Sequence, residues 1–307
     1  MTELHWTSDF DFSGRRVRVR KTGAHLHIDA GLLADVWRWL GYYGPVRLKG
    51  AVTRLVSPGP RIWFGPDMPR PWYLIWLAAS WGGLRFVRSP ELADVRFFFE
   101  DATVGPAPAG MTGLNFGCTD VSKSHVAEVF EQVFGYPLRL DPRQHSGLAV
   151  EKGEMNGAHD GRLIDCPTSP EPGRVYQHLI DNQQGDVVVD FRTPCVDGRP
   201  VLVFIKRRPV FDRFANYNRS VDLARPEDHF SPDEIDKIGD FCRAMQLDWG
   251  GLDVLRDATS GRLYIVDVNK TDMPPLRLPW RQKMKAIDLL SKALGSLIQS
   301  RSTGTAA

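Results

Sequence analysis

The sequence predicts an α+β fold preceded by a small α/β unit, and three observations carry that reading. The first third alternates short β-like runs with helical patterns. The remaining two thirds is rich in hairpin signals, interrupted by helices with recognisable caps. With 42% hydrophobic and 25% charged residues over 307 positions, the composition is that of a globular chain able to bury a sizeable core.

Taken in order, RRVRVRK, AVTRLV and RIWF read as β-runs, and LLADVWRWLGYYG and WYLIWLAASWG read as helices. The segment from Trp72 to Leu84 is the most apolar of the chain, yet too short to span hydrocarbon, so it reads as a buried helix. Its tryptophans leave peripheral membrane contact open. ADVRFFFED reads as a buried strand ending in acidic residues, and VGPAPAGMTG as the loop that separates an N-terminal domain, residues 1–110, from residues 111–300.

SKSHVAEVFEQVFG places Val126, Val129, Phe130 and Val133 on one helical face, with Asp120 or Ser122 as N-cap and Gly135 as the stop. SGLAVEKGEMNGAHDGRLIDCP reads as a hairpin with a glycine-bearing tip, and RVYQHLIDN as a short strand. In DVVVDFRTPCVDGRPVLVFIKRRP, Val-Asp-Gly-Arg is a turn between two strands. Ser231 and Glu234 form a capping-box pattern before a helix that lines up Ile235, Ile238, Phe241, Cys242 and Met245. GGLDVLRDATSGRLYIVDVNKT is a hairpin turned at Thr-Ser-Gly; a helix over 280–299 follows, and 301–307 reads as a disordered tail.

Several function classes are excluded. A net charge of +2 gives no global field toward nucleic acid. Cys118, Cys166, Cys195 and Cys242 are scattered, without zinc-site spacing. The polar, acidic start MTELHWTSDFDF is unlike a secretory signal, so a cytoplasmic location is expected. No GxxxxGK[ST], strand-linked GxGxxG, GxSxG or HExxH pattern occurs, and His159 and His178 read as polar loop or strand residues.

The chemistry concentrates in the last hairpin. Side chains alternate along a strand, so Asp267 and Asn269 share a face while Val268 points away. If the turn closes at Thr-Ser-Gly, Asp253 comes across from them. Three oxygen-bearing side chains suit Mg2+, with Mn2+ as an alternative. Read singly, each is an ordinary polar residue on the solvent face of a hairpin.

This pattern resembles the C-terminal signature of the ATP-grasp superfamily, where a carboxylate on one strand precedes an acidic-x-Asn triplet on the next; Asp267 stands where the first member is usually Glu. The resemblance covers roughly 120–275 and extends backwards in order. It implies two α+β lobes clamping ATP, with Lys152 on the strand that enters a phosphate-covering loop. It implies Gln177, His178 and Leu179 at the adenine, Asp181 at the ribose, and Arg192 and Lys206 as nucleotide-binding and catalytic cations. Asn218 and Arg219 follow as phosphate or intermediate contacts, Arg219 as a third catalytic cation. Asp120 and Lys123 lie near the domain junction, where a helix cap and a surface lysine explain them equally well.

What the resemblance implies about function is an ATP- and Mg-dependent ligase that activates a carboxylate as an acyl phosphate for attack by an amine or thiol, the carbon–nitrogen type first. The alternatives are a kinase phosphorylating a hydroxyl of a small-molecule or lipid acceptor, for which the tryptophan-rich segment would be suited, and a nucleotide-binding protein without turnover.

Overall fold

The computed structural model describes residues 6–20, 25–158, 160–214 and 217–304. The chain opens with an antiparallel meander of β1 (Phe10–Ser13), β2 (Arg16–Val19) and β3 (His25–His27). Helix α1 (Ala30–Val56) follows, capped by Asp29, whose carboxylate accepts from Leu32 N at 2.8 Å. Strands β4 (Arg61–Pro66), β5 (Arg85–Val87) and β6 (Val95–Phe99) form a parallel sheet in the order β5-β4-β6, with α2 (Leu74–Trp81) between β4 and β5. The small α/β unit expected from the alternation is present.

One expected strand is instead helix. Ala51–Val56 ends α1, which continues through Pro45. Its buried side chains Tyr42 and Val46 pack with α2, and Gly50 lies so close that a Cβ there would meet Ser80 O at 2.2 Å. Tertiary packing of this seam overrides the β preference of the Val-Thr-x-Leu-Val run. The segment from Leu74 to Ser80 is buried throughout, beneath α1 and the C-terminal helix.

The rest of the chain comprises α3 (Lys123–Phe134), β7 (Gly147–Gly153), β8 (Arg162–Cys166), β9 (Arg174–His178), β10 (Gln183–Gln184), β11 (Val187–Val196), β12 (Arg199–Pro200), β13 (Val203–Pro209), β14 (Ser220–Ala224), α4 (Pro232–Ala244), β15 (Trp249–Arg256), β16 (Leu263–Asn269) and α5 (Trp280–Gly304). Ser122 is the N-cap of α3, and Asp120 braces it by accepting from Ser122 N at 2.7 Å. Gly135 stops the helix at φ 79°, a left-handed conformation that suits glycine. Both halves of the Ser231/Glu234 capping box form.

Two sheets define the functional region. β8-β7-β9 is an antiparallel three-stranded sheet, and β14-β13-β11-β15-β16 runs antiparallel through a larger one that β10 and β12 join. On one face of the larger sheet Val189, Phe191, Cys195, Ile205, Leu252, Val254, Ile265 and Val268 pack against α3 and α4 in a core with Phe130, Ile238 and Phe241. The opposite face is covered at one end only, where Val196, Leu202, Phe204 and Trp249 join the core of α1, α2 and α5. The residues left at the other end of that face are charged. Helix α5 includes Arg301, bonded to Asp248, where a disordered tail was expected; residues 305–307 lie outside the described residues.

Candidate nucleotide and metal site

Strand register sets the site. Arg192 on β11 is the Cα partner of Asp253 on β15, and Asp253 is the partner of Asp267 on β16. Asp190 on β11 faces Lys206 on β13. A register shift between Asp253 and Val254 inserts Val266 as an extra residue, so Ile265 packs in the core while Asp267 and Asn269 turn to the face that carries Asp253. The expected trio is therefore brought together, and a bulge does the re-aiming.

The charges are mutually dependent. Arg192 Nε lies 2.9 Å from Asp253 Oδ1, yet both are buried without a hydrogen-bond partner among the described residues, being close but misaligned. Arg192 also approaches Asp272 at 3.5 Å. Burial opposes the Arg192 charge, but Asp253 and Asp272 outweigh it and hold the guanidinium protonated. Asp253 is pushed up by burial but brought below the usual carboxylate range by Arg192, Lys206 and Arg208. Asp272 behaves oppositely: burial dominates and raises it.

Lys206 Nζ is 4.0 Å from Asp253 and burial lowers it to about 8. An ion pair at that distance contributes roughly 1–4 kcal/mol between bulk-water and protein-surface permittivities, while burying a single ion costs several kcal/mol. Asp253, already shared with Arg192, does not offset the burial of Lys206. Lys152 is lowered to about 8 in the same way; its Nζ donates to Val266 O at 2.9 Å, the carbonyl exposed by the bulge. Both lysines want a further anion on this face.

Lys123 is 6% exposed, and its Nζ donates to Asp267 Oδ1 and, at 3.3 Å, to Asn156 Oδ1. It is not a surface lysine. Its place in the first turn of α3 was a legible signal, because a cation at a helix N-terminus opposes the macrodipole and needs another partner. Asn156 belongs to the β7–β8 loop, which Glu154 ties to Ser124 and Asn156 N ties to Thr103 Oγ1 at 2.8 Å. The glycine-bearing tip thus docks on α3 beside Asp267; His159 lies outside the described residues.

The remaining candidates fall in two groups. Gln177 is buried on β9 with its Nε2 unpartnered, and His178 N donates to Leu138 O at 2.9 Å while burial lowers its imidazole. Leu179 is half-buried. Asp181 is exposed and lies in the segment linking β9 to the larger sheet, where its backbone N donates to Asp257 at 3.1 Å. Arg219 stands apart: it pairs with Asp186 at 2.6 Å and is exposed. Asn218 Oδ1 is buried without a hydrogen-bond partner. Sequence reasoning missed Asp272, Asp190 with its partner Arg208, and Lys270. Asp272 follows β16 immediately in NKTD, and that density of polar residues beside a strand end was its one trace.

A metal fits these donors. Asp253 and Asp267 are opposed carboxylates, Asp253 Oδ1 is an orphaned buried acceptor, and Asn269 adds an amide oxygen that accepts from Thr271 N at 3.0 Å and from Thr271 Oγ1 at 3.3 Å, the hydroxyl being free to rotate away. Hard oxygen donors, few in number, are what Mg2+ takes when substrate phosphates complete its shell. No group of three His, Cys, Asp or Glu able to hold a metal ion occurs among the described residues; Asp253, Asp267 and Asn269 offer two carboxylates and an amide.

No family model matches the chain, and no curated protein does. Among solved structures it is similar to the ATP-grasp ligase PsnB complexed with minimal precursor, at 12% identity and TM-score 0.49 over 78% of this chain and all of that one. It is also similar to D-alanine–D-alanine ligase from Bacillus anthracis complexed with ATP, at 10% identity and TM-score 0.47 over 80% and 100%. D-cycloserine synthetase DcsG matches at 12% identity and TM-score 0.43 over 78% and 100%. The architecture is an α+β fold, a small α/β unit followed by antiparallel sheets and helices. What the site does is argued from this chain's own residues.

Proposed function

We propose that this chain is an ATP- and Mg-dependent ligase of the ATP-grasp class. The observation that carries the proposal is the charged face itself. Lys152, Arg192 and Lys206 converge from three strands of two sheets on a pair of carboxylates, with more buried cationic capacity than the carboxylates satisfy. A triphosphate bound through Mg2+ supplies both missing partners: anions for the lysines and a cation for Asp253 and Asp267. In this reading Lys152 and Lys206 hold phosphates, Arg192 neutralises the transferred group, and Gln177 to Leu179 with Asp181 receive the adenosine. The β7–β8 loop covers the phosphates from the α3 side.

The reaction proposed is attack of a substrate carboxylate oxygen on the γ-phosphorus, with cleavage of its bond to the β–γ bridging oxygen and release of ADP. An amine or thiol then attacks the acyl phosphate carbonyl, losing a proton, and inorganic phosphate leaves. The acceptor end is assigned to the side of Lys270, 2% exposed with its Nζ over the Phe98 ring and without a hydrogen bond, and Glu100, whose Oε2 likewise has none at the end of β6. Ligands commonly bind beyond the carboxyl ends of parallel strands. A lipid acceptor loses its sequence argument, because Leu74–Ser80 is interior.

The test is calorimetric titration with the non-hydrolysable analogue of Mg-ATP, followed by phosphate release on panels of amino acids and peptides. Binding together with amine-dependent phosphate release is expected. Transfer to a hydroxyl with no free phosphate makes it a kinase, and absence of nucleotide binding removes the assignment.

A further inference from the structure

Helix α1 presents to solvent a face that the described residues do not cover. Leu33, Val36, Trp37, Leu40, Leu48, Val52, Leu55 and Val56 are exposed along it, Trp37 by 76% and Leu55 by 86%. Together they leave on the order of 1,000 Å² of mainly apolar surface, above the few hundred Å² that a monomer usually exposes in one patch.

The order of the residues along this stripe is symmetric about Gly44. Leu40 and Leu48 stand four residues to either side, Val36 and Val52 eight, and Leu33 and Leu55 eleven. Trp37 and Ala51 stand seven away, large opposite small. A twofold axis through an antiparallel helix pair maps each residue onto the one equally far beyond the axis. Centred on Gly44, it sets Leu on Leu, Val on Val and Trp on Ala, and the run Leu40, Gly44, Leu48, Val52 is an i±4 ridge of the kind that interlocks with its own copy.

Gly44 itself is the second observation. A glycine within a helix is destabilising, and at Gly44 the following Pro45 accounts for part of the choice, because its ring disfavours a side chain on the preceding helical residue; beyond its own helix Gly44 is exposed, and a Cβ would meet nothing within 4 Å. Gly50 on the opposite face shows the contrast, since it is required by contact with Ser80. At the axis of a helix pair, a glycine lets the two backbones approach.

We propose that α1 is a homodimer interface in which two copies pack antiparallel about Gly44. The exposed area matches what a standard interface buries per partner, about 800 Å². Arg47 and Lys49 are also exposed, which makes an anionic bilayer the competing occupant. A bilayer requires an apolar stripe, but not its mirror order. The proposal is independent of the nucleotide site.

The test is sedimentation equilibrium of the full chain from submicromolar to tens of micromolar. A reversible dimer is expected, its dissociation constant raised at least tenfold by Leu48→Glu with the circular dichroism spectrum unchanged. Gly44→Cys is expected to form a symmetric disulfide-linked dimer on mild oxidation, because the four native cysteines are buried, whereas Leu33→Cys is not. A monomer at every concentration overturns the proposal, as does a dimer indifferent to Leu48→Glu. Binding of a monomer to phosphatidylglycerol vesicles that Leu48→Glu abolishes assigns the face to a membrane and overturns it equally.

Discussion

Lys123 Nζ donates to Asp267 Oδ1, so a lysine from the first turn of α3 neutralises one of the two opposed carboxylates of the last hairpin. Its side chain is 7% exposed and that of Asp267 23%. The lysine's ammonium lies against a carboxylate proposed to hold a divalent cation, and it also holds Asn156 of the covering loop.

Removing that lysine leaves Asp267 facing Asp253 with less cationic charge. Lys123→Met is expected to lower stability by a few kcal/mol in chelator, since breaking a buried pair strands its partner. Millimolar Mg2+ is expected to restore part of the loss. Thermal melts with and without metal check it; a variant equally stable in both conditions argues against a cation site at Asp267.

Asp267→Ala and Asp253→Asn are each expected to weaken Mg-dependent nucleotide binding at least tenfold, with a smaller effect on binding measured in chelator. Titration calorimetry with and without Mg2+ separates the two. Unchanged affinity of Asp267→Ala for the Mg complex removes the metal assignment.

Lys152 and Lys206, each lowered to about 8 by burial, give a pH signature. Below pH 8 both are protonated folded and unfolded; between about 8 and the ordinary lysine value of 10.5 the unfolded chain holds more protons. These groups alone therefore make stability rise with pH across that window. Triphosphate binding raises both lysines again, so nucleotide binding near pH 8.5 is expected to take up protons, and affinity to fall as pH climbs above 8. Calorimetry in buffers of different ionisation enthalpy reads the uptake directly.

Gly251 lies where a Cβ would meet Asp272 Oδ2 at 2.1 Å and Arg192 Cδ at 3.2 Å. Gly251→Ala is expected to push Asp272 away from Arg192 and reduce turnover at least tenfold with a smaller effect on the circular dichroism melt. Unaltered turnover shows that the Arg192–Asp272 approach is dispensable.

Asn115, just past the N-terminal unit, ties the junction to β15: its Nδ2 donates to Trp249 O at 2.7 Å, and its Oδ1 accepts from Asp248 N at 2.8 Å and Trp249 N at 2.9 Å. It is fully buried, so Asn115→Ala strands two amides and a carbonyl and is expected to cost about 2–4 kcal/mol. Urea unfolding measures it; a loss under 1 kcal/mol means that solvent reaches the gap.

The sequence by itself determined the elements whose signals are local. The capping box at Ser231, the Gly135 stop, the Asp-Gly turn after Val196 and the alternation that puts Asp267 and Asn269 on one face are properties of a few neighbouring residues. They were legible because short-range hydrogen bonds and backbone sterics set them. Tertiary structure alone decided the rest. Packing of Val46 and Gly50 on α2 turned Ala51–Val56 into helix, and the bulge at Val266 aimed Asp267 at Asp253. Lys123 became the partner of Asp267, and Asp272 the neighbour of Arg192, only when the first turn of α3 and the end of β16 were brought to the site. Burial of charge is a property of what surrounds a residue in space, and neither its cost nor its partners can be read along the chain.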